Sequence, residues 1–163
     1  MYATYRSKGG VVGAMLEDLE ESADQAGWEA RIRAESDPVR QLQLFVTWIR
    51  TLFEAGAPVL RAALDARGDP DLLAMMAQGD ANRLGGTTAL ADHWQECGAL
   101  RPGHDPLEAA HTLWLLTSAE QFILAIDHLG WSPEHYERWL APLVQHVVLR
   151  PDAGVDPWPL HGS

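Results

Sequence analysis

The side chains in this sequence that are best suited to chemistry are a single cysteine and seven histidines. His93 and Cys97 are four residues apart, so a helix would place them on one face, where two such ligands can chelate zinc. His104 and His111 follow further along the chain. The sequence contains no His-Glu-x-x-His and no Cys-x-x-Cys pattern, however, and we therefore predict no metal site.

The same cysteine is the candidate nucleophile for Cys–His catalysis. Cys97 precedes Gly98 at a predicted helix C-terminus, where the negative end of the helix dipole disfavours a thiolate. The sequence has no nucleophile elbow, and Gly9-Gly10 lacks the pattern of a phosphate-binding loop. We predict that the protein is not an enzyme, with no catalytic residue and no cofactor.

Aromatic and methionine side chains indicate a different kind of site, a cavity for a small apolar or aromatic ligand. Each of these residues could instead belong to an ordinary core. Glu120 interrupts an apolar stretch, and it could pair with an arginine, reach solvent or contact a ligand. The predicted lining consists of Phe45, Trp48, Met75, Met76, Trp94, His111 and Trp114, with polar contacts from Thr117, Glu120 and Gln121.

Composition limits the possible partners. The 163 residues suffice for one domain with a core, and 12 Lys and Arg against 23 Asp and Glu give a net charge of −11. So acidic a surface repels phosphate, and the chain by itself is not expected to bind nucleic acid. Without a long apolar run, a signal peptide or a second cysteine, we expect a cytoplasmic protein with no membrane contact.

Strand signals are nearly absent, whereas helix starts recur with one capping pattern. In this pattern an Asp or Ser oxygen precedes a proline at the first helical position, where the missing N–H would be unpaired anyway. The chain is therefore predicted to be all-α, with about six helices. The four starts are Asp37-Pro38, Asp69-Pro70, Asp105-Pro106 and Ser132-Pro133.

Apolar periodicity gives the extent of each helix. Gly27 should end the first helix, a polar connector should follow over residues 28–36, and Gly56-Ala57-Pro58 should interrupt the second helix. Three glycines, at about 1 kcal/mol each, should kink the fourth helix without breaking it. Pro142 should bend the last helix, and a flexible tail should follow. The predicted helices cover residues 7–26, 37–55, 59–66, 69–97, 105–128 and 132–149, and the tail covers 150–163.

The N-terminal segment reads Met1-Tyr-Ala-Thr-Tyr-Arg-Ser-Lys8 and continues into an apolar helix. Tyr2, Tyr5, Ser7 and Lys8 fit the pattern Tyr-x-x-Phe/Tyr-x-Ser-Lys. This segment resembles the junction in TetR-type transcription regulators where the DNA-recognition helix meets the ligand domain. Residues 98–118 and 130–140 resemble the entries to the last two helices of that family, so that the resemblance extends over residues 1–149.

The resemblance implies an effector-binding and dimerisation domain over residues 1–149, of which residues 1–8 are a remnant of the junction. In the family the ligand cavity lies among the middle helices, and the last two helices of two subunits form a four-helix bundle. Residues matching Tyr2 and Lys8 contact DNA phosphates there. The implied homodimer contacts are Leu115, Phe122, Ile126, Tyr136, Trp139, Leu140, Leu143 and Val147, although these helices could also be the core of a monomer.

Family members carry a helix-turn-helix ahead of this junction, whereas this sequence begins at Met1. We expect a misassigned start or, alternatively, a real truncation, and DNA as a partner only with the missing module. The predicted function is effector sensing by a TetR-type regulator, either a repressor or an activator. The alternatives are a small all-α enzyme or carrier with a hydrophobic pocket, and a structural dimer without a ligand.

Overall fold

A computed structural model describes residues 24–65 and 68–153, together with Gly10, Val11, Ala14, Met15 and Asp18. This part of the chain contains helices and no strand, which confirms the all-α prediction for it. None of the helices described is both long and apolar enough to cross a membrane. Over residues 24–153 the helices are α1 Gln25–Ala34, α2 Pro38–Asp65, α3 Pro70–Glu96, α4 Pro106–Leu116, α5 Ala119–Leu129 and α6 Pro133–Val148.

The four predicted helix starts are confirmed by their cap hydrogen bonds. In each, the oxygen of an Asp or Ser side chain accepts from a backbone N–H in the first turn, at 2.8 to 3.2 Å. These bonds satisfy amides that no carbonyl within the helix can reach. The caps are Asp37, Asp69, Asp105 and Ser132, and their donors are the amides of Val39, Asp71, Leu107 and His135.

The predicted interruption of α2 at Gly56-Ala57-Pro58 is wrong, because α2 is one helix of 28 residues. Pro58 is exposed and lies inside it. An interior proline costs about 3 kcal/mol, since it removes one hydrogen bond and crowds the preceding turn. Phe53 and Ala63 are buried on either side of it. Burial along the whole face of α2 therefore offsets the local penalty.

The single helix predicted over residues 105–128 is also wrong, because the chain breaks at Thr117 and Ser118. Ser118 has an extended backbone and caps α5 by accepting from the amide of Gln121 at 3.3 Å. The Thr117 hydroxyl donates to the carbonyl of Leu113 at 2.7 Å. Ser118-x-x-Gln121 matches the capping-box pattern of a helix N-terminus, although no helix start was predicted there. The break lets α4 pack on α3 and α6, while α5 packs on α2 and α6.

Gly27 does not end a helix, since it lies inside α1. The chain turns instead at Asp24, whose φ of 48° is left-handed. A Cβ at Gly27 would meet only the end of the Asp24 side chain, which can move aside. The predicted connector over residues 28–36 is helical as far as Ala34.

The glycine-containing segment forms one helix, α3, as predicted. The chain after α6 differs from the prediction, because its first residues are packed. Leu149 pairs with Leu100 in an isolated antiparallel bridge, and the Arg150 amide donates to the carbonyl of Ala99 at 3.0 Å. Ala153 is buried. The rest of the predicted tail, residues 154–163, lies outside the described residues.

Two ion pairs tie α2 to the C-terminal helices. Arg50 and Thr47 of α2 both donate to the carboxylate of Glu137 on α6, at 2.8 and 2.6 Å. Arg61 binds Asp127 of α5 through two nitrogens, at 2.8 and 2.6 Å. The hydrogen bond from Arg61 lowers the pKa of Asp127 below its ordinary value. These contacts fix the direction of α2 across α5 and α6.

The centre of the core is an aromatic cluster. The Phe122 ring lies 5.7 Å from the Phe53 ring and 5.2 Å from the Tyr136 ring, in an edge-to-face arrangement with the latter. Tyr136 is fully buried, and its hydroxyl donates to the carbonyl of Leu116 at a long 3.4 Å. Aromatic pairs of this kind add about 0.5–1.5 kcal/mol to the burial itself. The cluster therefore joins α2, α5 and α6.

Alkaline pH should destabilise the fold through Tyr136. Burial raises the pKa of its phenol above the ordinary value of 10. Above about pH 10 the unfolded chain releases this proton while the folded chain retains it, so the free energy of unfolding falls by up to about 1.4 kcal/mol per pH unit. Tyr136→Phe should remove this fall. Urea denaturation from about pH 8 to 11.5 measures it, and equal slopes for both proteins would contradict the prediction.

Candidate functional site

A cavity of about 560 Å³ lies between α1, α2 and α3, with the start of α5 at its edge. Its volume is within the range of small-molecule sites, about 300–1,000 Å³. The walls are mainly apolar because the buried stripe of α2 faces α3 across a gap. Aromatic and sulfur-containing side chains form part of these walls: Phe45, Trp48 and Phe53 from α2, and Met75 and Met76 from α3.

Half of the ten predicted ligand-binding residues line this cavity: Phe45, Trp48, Met75, Met76 and Glu120. The others lie elsewhere. Trp94 is in the core, Thr117 is buried at the α4–α5 break, and His111 and Gln121 are exposed. Trp114 donates from its indole N–H to the carbonyl of Asp80 at 3.1 Å. The break after α4 is the reason, because only the first residues of α5 reach the cavity.

Several residues that line the cavity were not predicted from the sequence to do so. Ile49, Leu52 and Phe53 continue the apolar stripe of α2, and that periodicity could have identified them. Arg83 and His93 of α3 gave no comparable signal. A charged side chain on a weakly amphipathic helix is usually solvated, and its inward position depends on the neighbours of α3.

Trp48 contributes the flat wall of the cavity. Its ring lies 6.1 Å from that of Phe45. The indole Nε1 is buried and has no hydrogen-bond partner among the residues that the structure describes. A buried donor without an acceptor costs about 1–3 kcal/mol. Because Nε1 is shielded, a ligand would meet the carbon surface of the indole and not its N–H.

Gln41 joins three helices at the wall of the cavity. It is fully buried, and its amide nitrogen donates to the backbone carbonyl of Glu35 at 2.6 Å and lies 3.2 Å from that of Ile32. The ring nitrogen Nε2 of His93 lies 3.3 Å from the same amide. The amide oxygen accepts from the indole N–H of Trp94 at 2.8 Å. This single side chain therefore fixes α1 and α3 against α2.

Arg83 is a lining residue of the cavity, and its side chain is only 15% exposed. Its Nη1 donates to the carbonyls of Trp114 and Thr117, the latter at 3.2 Å, and its carbon lies 4.7 Å from the centre of the Trp114 ring. Its Nη2 donates to Asp80 at 3.2 Å. Arg83 thereby caps the end of α4, where carbonyls have no partner within the helix.

The carboxylates in the cavity wall are already engaged. Glu29 accepts from the amide of Gln25 at 2.9 Å and lies 3.7 Å from Arg33. Asp80 pairs with Arg83, and Glu120 also has an interaction partner. The wall thus combines an apolar surface with one largely buried cation and acids that have other contacts.

The histidine and cysteine that motivated the zinc hypothesis occupy different surroundings. His93 lines the cavity, whereas Cys97 is exposed, and its thiol lies 3.6 Å from the carbonyl of Trp94. Within residues 24–65 and 68–153 and the few residues described before them, no group of three or more His, Cys, Asp or Glu side chains is placed to hold a metal ion.

The predicted dimer contacts divide into three sets. Phe122, Tyr136 and Leu140 are in the core of the chain itself. Leu115 and Trp139 are exposed to solvent, at 58% and 41%. The remaining predicted contacts are half-buried, namely Ile126, Leu143 and Val147.

No protein-family model, curated protein or solved structure matches this chain. Tyr2 and Lys8, the predicted remnant of a DNA contact, lie outside the described residues. The observations that bear on function are therefore the cavity and the sequence resemblance.

Proposed function

We propose that this chain is the effector-sensing and dimerisation domain of a TetR-type transcription regulator, whose effector is a small apolar or aromatic molecule. The observation that carries the proposal is the 560 Å³ cavity, with its wall of aromatic and methionine side chains. Such a wall adapts to ligand shape and holds an apolar body by excluding water. We place the regulator in the cytoplasm, because its target would be DNA.

The position of α1 supports a sensing role. α1 begins at Gln25, C-terminal to the junction segment of residues 1–8, and Glu29 and Ile32 of α1 line the cavity. A ligand that contacts α1 in one arrangement and not in another shifts the population between the two. Ligand binding would thereby bias the position of whatever precedes α1 in the chain, which in a complete regulator is the DNA-binding module.

Exposed apolar side chains support the dimer. Five large ones lie on α4, α5 and α6, each at least 41% exposed. Contact with a second copy would remove these side chains from water. They are Leu107, Leu115, Leu124, Leu129 and Trp139.

Two neighbouring glycines of α3 provide a test of the cavity. Gly86 lines it and Gly85 does not, and a Cβ at either position would meet no atom within 4 Å. Gly86→Leu should fill part of the cavity and weaken ligand binding about tenfold or more. Gly85→Leu should leave binding unchanged. Both changes favour the helix by about 1 kcal/mol, so stability does not separate the two variants.

A thermal-shift screen of apolar and aromatic compounds would supply ligands, and titration calorimetry would give affinities for the three proteins. If no compound stabilises the wild type, the chain is better described as a structural dimer. If Gly85→Leu and Gly86→Leu weaken binding equally, the ligand binds somewhere other than this cavity. Turnover of a bound compound would favour the enzyme alternative.

A further inference from the structure

We infer that the effector is an organic anion, with an apolar or aromatic body in the cavity and one acidic group on the guanidinium of Arg83. This inference rests on the proposed function, since it assumes that the cavity is the effector site. It adds the charge of the ligand and the residue that recognises it.

The hydrogen bonds of Arg83 leave donors for a ligand. A guanidinium has five N–H groups. Within the described part of the chain, two on Nη1 donate to Trp114 and Thr117, and one on Nη2 donates to Asp80. Nε–H and one Nη2–H remain. Asp80 can accept from the Nη2–H that faces Nη1. The remaining Nη2–H and Nε–H then point to the same side of the guanidinium, the geometry that binds an acidic group through both oxygens.

The other hydrogen-bond donors at the cavity are shielded, already bonded or exposed to solvent. Trp48 Nε1 is shielded, and the amide of Gln41 is occupied by backbone carbonyls and His93. Arg33, the other arginine of the wall, has a side chain that is 81% exposed and is directed at Glu29. Arg83 is therefore the cation of the described wall that an apolar ligand can meet away from bulk water, where a charged hydrogen bond is strongest.

The acidic character of the chain does not oppose this assignment. Its charge of −11 acts at long range, and salt screens interactions beyond about 8 Å at physiological ionic strength. Asp80, the closest carboxylate to Arg83, is 54% exposed and contacts it with one oxygen at 3.2 Å. Such a solvated contact is weak compared with an acidic group held against a mostly buried guanidinium.

Two fluorescent probes test the charge directly. 8-Anilinonaphthalene-1-sulfonate and N-phenyl-1-naphthylamine share one aromatic body, and only the first carries an anionic group. Arg83→Gln removes the charge but keeps an amide donor for the carbonyls of α4. We expect it to weaken binding of the sulfonate about tenfold or more and to change that of the neutral amine less than about twofold. Arg40→Gln is the matched control, because Arg40 is not among the lining residues and its side chain is 71% exposed; it should change neither affinity.

The outcomes separate the inference from the proposed function. If neither probe binds the wild type, the cavity itself is not a ligand site. If both bind and Arg83→Gln weakens them equally or not at all, the cavity stands and the anion assignment is overturned. If Arg83→Gln folds poorly, a competition experiment on the wild-type protein tests the inference instead, by measuring how much of a competitor is needed to displace the neutral amine. 2-Naphthoate should then act at a concentration about ten times lower than 2-naphthamide, and the reverse order would overturn the inference.

Discussion

Phe122→Ala is expected to lower the free energy of unfolding by about 3–5 kcal/mol, the usual loss for a buried aromatic ring. Phe122 is 1% exposed and lies between the rings of Phe53 and Tyr136. Truncation would leave a cavity where α2, α5 and α6 meet and would remove two ring contacts. Urea denaturation followed by circular dichroism would measure the loss at several protein concentrations.

His128→Ala on the same helix is the matched control, because His128 is exposed and should lose less than about 1 kcal/mol. The concentration series also bears on the dimer. A contact between copies through exposed residues would make the midpoint rise with protein concentration, and Leu115→Ala should reduce that rise. If Phe122→Ala destabilises no more than His128→Ala, the aromatic cluster is not the centre of the core.

Gln41→Met is expected to destabilise the protein by about 2–4 kcal/mol, although methionine has nearly the same length. The change leaves the buried indole N–H of Trp94 without an acceptor and deprives the carbonyls of Ile32 and Glu35 of a donor. An unpaired buried polar group retains its full desolvation penalty. Chemical denaturation would give the difference in free energy of unfolding.

Gln43→Met is the control for this prediction, since Gln43 lies two residues away on the same helix and is exposed. Its effect should stay within about 0.5 kcal/mol. In a double-mutant cycle, Trp94→Phe should cost less in the Gln41→Met background than in the wild type, because it removes the orphaned N–H with its indole. Equal effects of the two glutamine variants, or equal costs of Trp94→Phe in the two backgrounds, would show that Gln41 does not hold α1 and α3 against α2.

The helix starts could be predicted because the signal and the structure are both local. At Asp69, Asp105 and Ser132 the cap oxygen and the amide it binds are two or three residues apart. Ser118 follows the same rule, and it was missed only because an apolar run hid it. The segment of α3 that contains three glycines was also predicted as helix, since its apolar first turn and its cap are local features.

The predictions from the sequence were wrong where contacts between residues that are distant in the sequence determine the structure. Pro58 and Gly27 carry local signals for helix ends, yet α2 continues through the proline because its whole face is buried, and α1 begins at Gln25 and contains the glycine. The predicted dimer contacts Phe122 and Tyr136 are apolar positions of the right periodicity. Periodicity identifies a buried face, but it does not say whether the same chain or a second copy covers it.

The sequence alone determined the helical class, the four capped starts and the apolar stripe of α2, since each depends on side chains within a few residues of one another. Only the tertiary structure decided which side chains surround the cavity. Arg83 meets Trp114 across 31 residues, and Gln41 meets His93 across 52. Such pairings depend on how α1, α2 and α3 pack, and packing is set by the shape and burial of the whole assembly of helices, which no short stretch of sequence encodes.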